Sequence, residues 1–396
     1  MKHALFVNVA DHGHVNPTLA VVAQLVARGW RVTYAVGAEF VPQVRVVGAE
    51  PVVLPGVRDG GPPPEDLMAG VEVYHREAQA ALPVLEAAIA GDLPDVIVYD
   101  FVAFAGKVLA LKLGVPMVQL SPTHALFPGW EQVAFGVPSL SELPVYQRFQ
   151  RFLDTHGLGC SVEQFQATAD PKVVFVPRAF QMSPELLGPE HTFTGPALGD
   201  RSFQGRWRAP GGKPVLLVSL GSCFTDQPGF FRTCLDMAAG LGWHTVMAIG
   251  RHVDPATLGP VPDDVEIAAM VPQLDVLAMA SAFVTHAGMG SVLEALYHGV
   301  PMVAVPQMAE QRLNAARLTE LGLGVTLDRA DVTVQALHNA VLRVSSDAGI
   351  AENVRGMREI VRTCGGAAEA ADVVARTGDR SAGSGTQFQQ AVGQLG

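Results

Sequence analysis

The chain has 396 residues, more than one hydrophobic core accommodates and suited to two. Its 49% hydrophobic and 16% charged residues suit a globular protein with large buried sheets, and a net charge of −11 lacks the cationic density that nucleic acid or an anionic membrane demands. Cys160, Cys223, Cys234 and Cys364 form no Cys-x-x-Cys pair, which argues against a zinc cluster or disulfide framework and for free thiols in a reducing cytoplasm.

The opening Met1-Lys2-His3-Ala4-Leu5-Phe6-Val7 is apolar too briefly for a signal peptide, and no run is long enough to span a bilayer. Leu5–Val9 reads as a strand. Pro17–Arg28 reads as a helix, capped by Asn16 and ended by Gly29, with Leu19, Val22, Leu25 and Val26 on its apolar face. Arg31–Val36, Pro51–Leu54, Val96–Tyr99 and Pro116–Leu120 read as further strands with helices between them. This alternation implies an α/β fold with a parallel sheet covered on both faces.

Gly195–Gly212 breaks the rhythm with its glycines and prolines and reads as an interdomain linker. A second α/β series follows, with strands at Val215–Leu220, Thr245–Ile249, Val265–Ala268, Ala282–Thr285 and Met302–Val305. Helices are expected at Pro228–Leu241, Ser291–Tyr297, Gln311–Leu321, Val334–Val344 and Ala351–Val361. The resulting division is 1–205, 206–376 and a flexible tail at 377–396, rich in Gly, Ser and Gln.

Four motifs carry chemistry. His12-Gly13-His14-Val15-Asn16-Pro17 lies between the first strand and helix, on the edge where open α/β sheets bind ligands. A His there suits general-base work, or bonds a helix start. Asp100 closes the strand Val96–Tyr99 on the same edge, where it would orient an imidazole or cap the following helix. Gly221-Ser222 closes the first strand of the second series, where Ser222 would bond a ligand or simply turn the chain.

The fourth motif is the longest, running from Val271-Pro272-Gln273 through Thr285-His286-Ala287-Gly288-Met289-Gly290-Ser291 to Glu294, then from Gly299 to Glu310-Gln311. A strand, a glycine turn and a helix start make a phosphate cradle. His286 adds a donor, Glu294 an acceptor for ribose hydroxyls, and Glu310 with Gln311 the pattern that sugar hydroxyls need. Leu293 stands where the dinucleotide fingerprint has its third glycine, which argues against NAD or FAD.

The run Val271–Gln311, with Gly13-His14-Val15-Asn16-Pro17 and Tyr99-Asp100-Phe101, resembles the UDP-dependent glycosyltransferases acting on small lipophilic molecules, above all the actinobacterial macrolide glycosyltransferases. The resemblance extends from His3 to about Ala375. It implies a GT-B architecture, two Rossmann-like domains with parallel sheets facing across a cleft, the first binding acceptor and the second the nucleotide-sugar donor. It implies that His14 is the base and Asp100 its partner, with His286, Gly288, Gly290 and Ser291 at the diphosphate. Glu294 would take the ribose, Glu310 and Gln311 the sugar, and Gln273 the neighbourhood of the base. Met270 stands where the family often has a base-stacking Trp, which leaves the choice between UDP-sugar and dTDP-sugar open.

The expected reaction is an inverting transfer of a hexosyl group, glucose from UDP-glucose, to a macrolide or similar acceptor, serving antibiotic resistance or biosynthesis. No Asp-x-Asp occurs in the chain, so no metal or other cofactor is expected. Phe101, Phe104, Phe127, Trp130 and Phe135 are candidates for the acceptor cleft, or for ordinary packing. A dTDP-deoxysugar transferase and a nucleotide-sugar epimerase or hydrolase are the alternatives. The protein is expected to act as a monomer or homodimer.

Overall fold

The structure is a computed structural model that describes residues 1–57, 64, 66–201 and 204–380. Its described residues separate into two units, one within residues 1–199 together with 365–380, the other within residues 200–364. The first unit holds β1 (His3–Val7), β2 (Arg31–Val36), β3 (Glu50–Val53), β4 (Val96–Asp100), β5 (Met117–Ser121), β6 (Lys172–Val174) and β7 (His191–Phe193). They form one parallel sheet in the order β3-β2-β1-β4-β5-β6-β7. β1 and β4 are buried along their whole length, as strands covered on both faces must be.

One face packs against Leu19, Val22 and Leu25 of helix His12–Ala27 and Ala370, Ala371 and Val374 of helix Gly366–Arg380. The other packs against Leu82 and Leu85 of helix Leu67–Ala88, Val108 and Leu109 of helix Phe104–Leu113, and Phe149 and Leu153 of helix Pro144–Thr155.

The second unit holds β8 (Val215–Ser219), β9 (His244–Ala248), β10 (Val265–Ala268), β11 (Ala280–Thr285), β12 (Met302–Ala304) and β13 (Gly324–Thr326). These are also parallel, in the order β10-β9-β8-β11-β12-β13. No helix among the described residues is long and apolar enough to cross a membrane.

Four expectations change. The first helix starts at His12 rather than Pro17, with Asp11 in extended backbone as its cap residue, and Pro17 lies inside it. Pro17 removes the ladder donor that would serve the Gly13 carbonyl, and side chains add bonds in the same turn: Asn8 Nδ2 donates to the His14 carbonyl at 3.1 Å and Thr18 Oγ1 to the Val15 carbonyl at 2.8 Å. β6, β7 and β13 were not expected, because three residues carry too little alternation to be read.

The unit boundary falls at Gly199/Asp200, ahead of the expected one. Within the expected linker, Trp207 is anchored on the second unit: its N–H donates to Asp275 Oδ2 at 3.1 Å and its indole to Glu266 Oε2 at 3.0 Å. Residues 202 and 203 lie outside the described part.

At the other end, residues 365–376 belong to the first unit, not to the second domain as expected. Of the expected tail, Thr377–Arg380 continues helix Gly366–Arg380, and residues 381–396 lie outside the described residues.

Candidate active site

Both sheets reverse their strand order at one place, between β1 and β4 and between β8 and β11. Loops diverge at such a switch point and leave a crevice at the strand ends. The chain puts its motifs there: His14 follows β1, Asp100 ends β4, Gly221-Ser222 follows β8, and His286–Gly288 follows β11.

In the first unit, His14 Nδ1 lies 2.9 Å from Asp100 Oδ2, with side-chain exposures of 19% and 0%. The other carboxylate oxygen accepts from the Val102 N–H at 3.0 Å, so Asp100 both holds the imidazole and turns the chain after β4. A carboxylate on Nδ1 selects the tautomer with its proton there and leaves Nε2 as the basic nitrogen. Phe101 stacks on the His14 ring, centroids 5.9 Å apart and planes within 6°. His12 is exposed and meets Phe40 edge-on.

The aromatic candidates divide. Phe101, Phe127, Trp130 and Phe135 are half-buried, with Trp130 edge-on to Phe135 and Phe135 edge-on to Tyr146. Phe104, expected in an acceptor cleft, is instead a core residue, packed against His75, Phe149 and Phe165. It opens helix Phe104–Leu113 on the inward side, so its ring closes the core beneath that helix.

His75 was missed. It occupies a core position of helix Leu67–Ala88, in register with Val71, Ala78, Leu82 and Leu85, a spacing visible in the sequence. Its ring stacks on Phe149 at 4.2 Å, and neither ring nitrogen makes a well-formed hydrogen bond among the described residues. Burial pushes its pKa down to about 4, with smaller influences from Glu72 and Arg148.

The unfolded chain therefore binds a proton near 6.5 that the folded protein refuses until about 4, so stability is full above about 6.5 and declines as pH falls toward about 4. The loss is on the order of 3 kcal/mol. In a His75→Phe variant the thermal midpoint is expected to drop less than in the parent between about pH 7 and about pH 4.5, and equal drops would exonerate His75.

In the second unit, helix Met289–His298 begins from Gly288 with no side-chain cap, slightly before the expected start. Its first-turn N–H groups are therefore not taken by a capping side chain. His286 lies beneath this turn. A Cβ on Gly221 would come within 2.6 Å of His286 Nε2, and one on Gly288 would collide with the same atom, so the imidazole fits only because both residues are glycine. Burial pushes the His286 pKa down to about 4, against a smaller upward pull from the Ser219 backbone, so the ring is neutral near pH 7 and donates one N–H rather than a charge.

Gly290 differs: it is exposed, and nothing lies within 4 Å of a Cβ placed there. Ala287 holds φ +61°, a left-handed conformation that costs a non-glycine residue about 1 kcal/mol. Thr285 Oγ1 accepts from its N–H at 3.2 Å and Asn314 Nδ2 donates to its carbonyl at 3.0 Å. Asn314, not anticipated from sequence, also donates to Glu310 Oε1 at 3.3 Å, which links the turn to the proposed sugar pair.

Gln311 is buried and its Oε1 accepts from the Gln307 N–H at 2.8 Å. Gln273 Nε2 donates to Ser291 Oγ at 3.2 Å and Glu294 Oε2 at 2.7 Å. Glu294 Oε1 pairs with Arg201 at 2.6 Å, a residue that sequence reasoning passed over as linker. Ser222 is exposed beside Cys223, and Met270 is 49% exposed with Arg251 donating to its sulfur at 3.7 Å. Among the described residues no cluster of His, Cys, Asp and Glu could hold a metal ion.

A family model described as UDP-glucoronosyl and UDP-glucosyl transferase matches residues 173–362. The oleandomycin glycosyltransferase of Streptomyces antibioticus is 38% identical, with 94% of this chain and 90% of that one covered. The NDP-glycosyltransferase YjiC of Bacillus licheniformis is 37% identical, covering 94% and 97%. A crystal structure of the glycotransferase of kitacinnamycin superimposes with a TM-score of 0.86 at 39% identity, covering 95% of this chain and 98% of the other. Two parallel Rossmann-like halves with these motifs at their switch points define a glycosyltransferase of the GT-B class. The chain belongs to the UDP-glucoronosyl and UDP-glucosyl transferase family.

Proposed function

We propose that this glycosyltransferase moves a hexosyl group, glucose from UDP-glucose, to a hydroxyl of a macrolide or similar small lipophilic acceptor, with inversion and without a metal. The observation that carries the reading is the His14 Nδ1–Asp100 pair, which leaves a basic nitrogen at the switch point of the first unit. In a single displacement Nε2 takes the proton of the acceptor hydroxyl as its oxygen attacks the anomeric carbon. The bond from that carbon to the diphosphate breaks, and the electron pair leaves with the nucleotide. Preorganised donors at a leaving group are often the largest catalytic contribution. The helix start after Gly288 and the neutral His286 supply them here. Likeness to the oleandomycin glycosyltransferase supports a macrolide acceptor.

A dTDP-deoxysugar donor is the second reading. Met270 in place of a stacking indole leaves it open, and 36% identity to the demethyllactenocin mycarosyltransferase of Streptomyces fradiae supports it. Mass spectrometry of products from a macrolide panel against UDP-glucose and dTDP-sugars distinguishes the two.

EDTA-treated protein is expected to keep its transfer rate, and a loss restored by magnesium would refute the metal-free step. UDP-glucose without acceptor is expected to stay intact over the assay, whereas its conversion at the transfer rate would indicate an epimerase or hydrolase.

A further inference from the structure

Glu294 is a carboxylate with 5% of its side chain exposed, in the same helix whose first turn forms the cradle. It sits five residues beyond Met289, roughly 8 Å along the axis at about 1.5 Å per residue. A buried negative charge at that range repels a diphosphate arriving at the helix start. Glu294 itself lies beyond the first turn, where the end effect of the helix has faded. Arg201 resolves the conflict: its Nη1 lies 2.6 Å from Glu294 Oε1, its side chain is 15% exposed, and Gln273 Nε2 takes the other oxygen at 2.7 Å. A carboxylate has about four acceptor positions, so ribose hydroxyls still find lone pairs on Glu294 with both partners in place.

We propose that Arg201 is a positioning residue for the nucleotide-sugar donor, orienting Glu294 toward the ribose and cancelling the charge that would repel the diphosphate. The inference rests on the donor-site reading above. A clip that merely ties the 200–207 segment down would affect every nucleoside ligand alike. Charge compensation discriminates by phosphate.

The test is equilibrium titration of the full chain with UDP and with uridine, for the parent and for Arg201→Met, Arg201→Lys, Glu294→Gln and the Arg201→Met/Glu294→Gln double variant. Removing one partner of a buried pair leaves its charge uncompensated, so Arg201→Met is expected to weaken UDP binding about 10- to 30-fold and uridine binding by less than about threefold. Arg201→Lys recovers most of the UDP affinity. The double variant binds UDP within about threefold of Glu294→Gln alone, because the repelling charge is gone.

Equal losses for UDP and uridine, or a double variant no better than Arg201→Met, would overturn the role of Arg201 while leaving the cradle intact. A parent protein that binds no UDP would remove the donor-site reading itself, and this inference with it.

Discussion

Replacing His14 with Ala is expected to lower the rate of sugar transfer by about 10²–10⁴-fold, the usual worth of a positioned general base, while UDP affinity stays within about twofold. His14 is half-buried in the first turn of helix His12–Ala27 and touches Asp100 and Phe101, all in the first unit, whereas the proposed nucleotide cradle lies in the second. A base that acts only as the acceptor hydroxyl loses its proton contributes to the transition state and not to nucleotide binding. Asp100→Asn is the companion variant. An amide presents its NH₂ or its oxygen to Nδ1 and no longer imposes one tautomer or steadies the imidazolium, so turnover is expected to fall about 10²-fold or more. Transfer retained in both variants, with normal folding, would take this pair out of the mechanism.

Gly288→Ala is expected to weaken UDP binding by about 10- to 100-fold, and Gly290→Ala to leave it within about threefold. A methyl group on Gly288 meets His286 Nε2, and the imidazole has little room to retreat because Gly221 lies against the same atom. Overpacking of this kind costs about 1–3 kcal/mol, felt where the diphosphate would sit. Gly290 has open space where its Cβ would be. Alanine also suits a helix better than glycine, by up to about 1 kcal/mol, so the thermal midpoint of Gly290→Ala should hold or rise. Equal losses at the two glycines would mean that the turn needs backbone freedom rather than room for the ring.

The two glycines show where sequence reasoning ends. Both belong to the motif His286–Ser291, and both were assigned to the diphosphate because they match a familiar pattern. Only packing separates the one that makes space for an imidazole from the one that faces open space. The aromatic residues divide in the same way. Phe101 lies on His14 and Phe104 three residues later is sealed in the core, because a strand-to-helix turn reverses the direction in which side chains point. Arg201 left no signal, since a lone arginine among glycines and prolines has no period, and its partner Glu294 lies far along the chain. The terminal helix Gly366–Arg380 was not among the expected helices, and its place beside helix His12–Ala27 was not legible either, because contacts between distant segments follow topology rather than local pattern.

Alternating apolar strands and amphipathic helices by themselves determined two parallel α/β halves, since local periodicity dictates which residues face a core. The order of strands and motifs likewise placed His14, Asp100 and His286 at the carboxyl edges of the two sheets, where such folds bind ligands, without any coordinates. Only the tertiary structure decided that His14 and Asp100 touch, that His286 is held neutral, and that Arg201 neutralises Glu294. Distances, burial and charge pairing arise between residues remote in sequence, and the composition of either partner alone does not encode them.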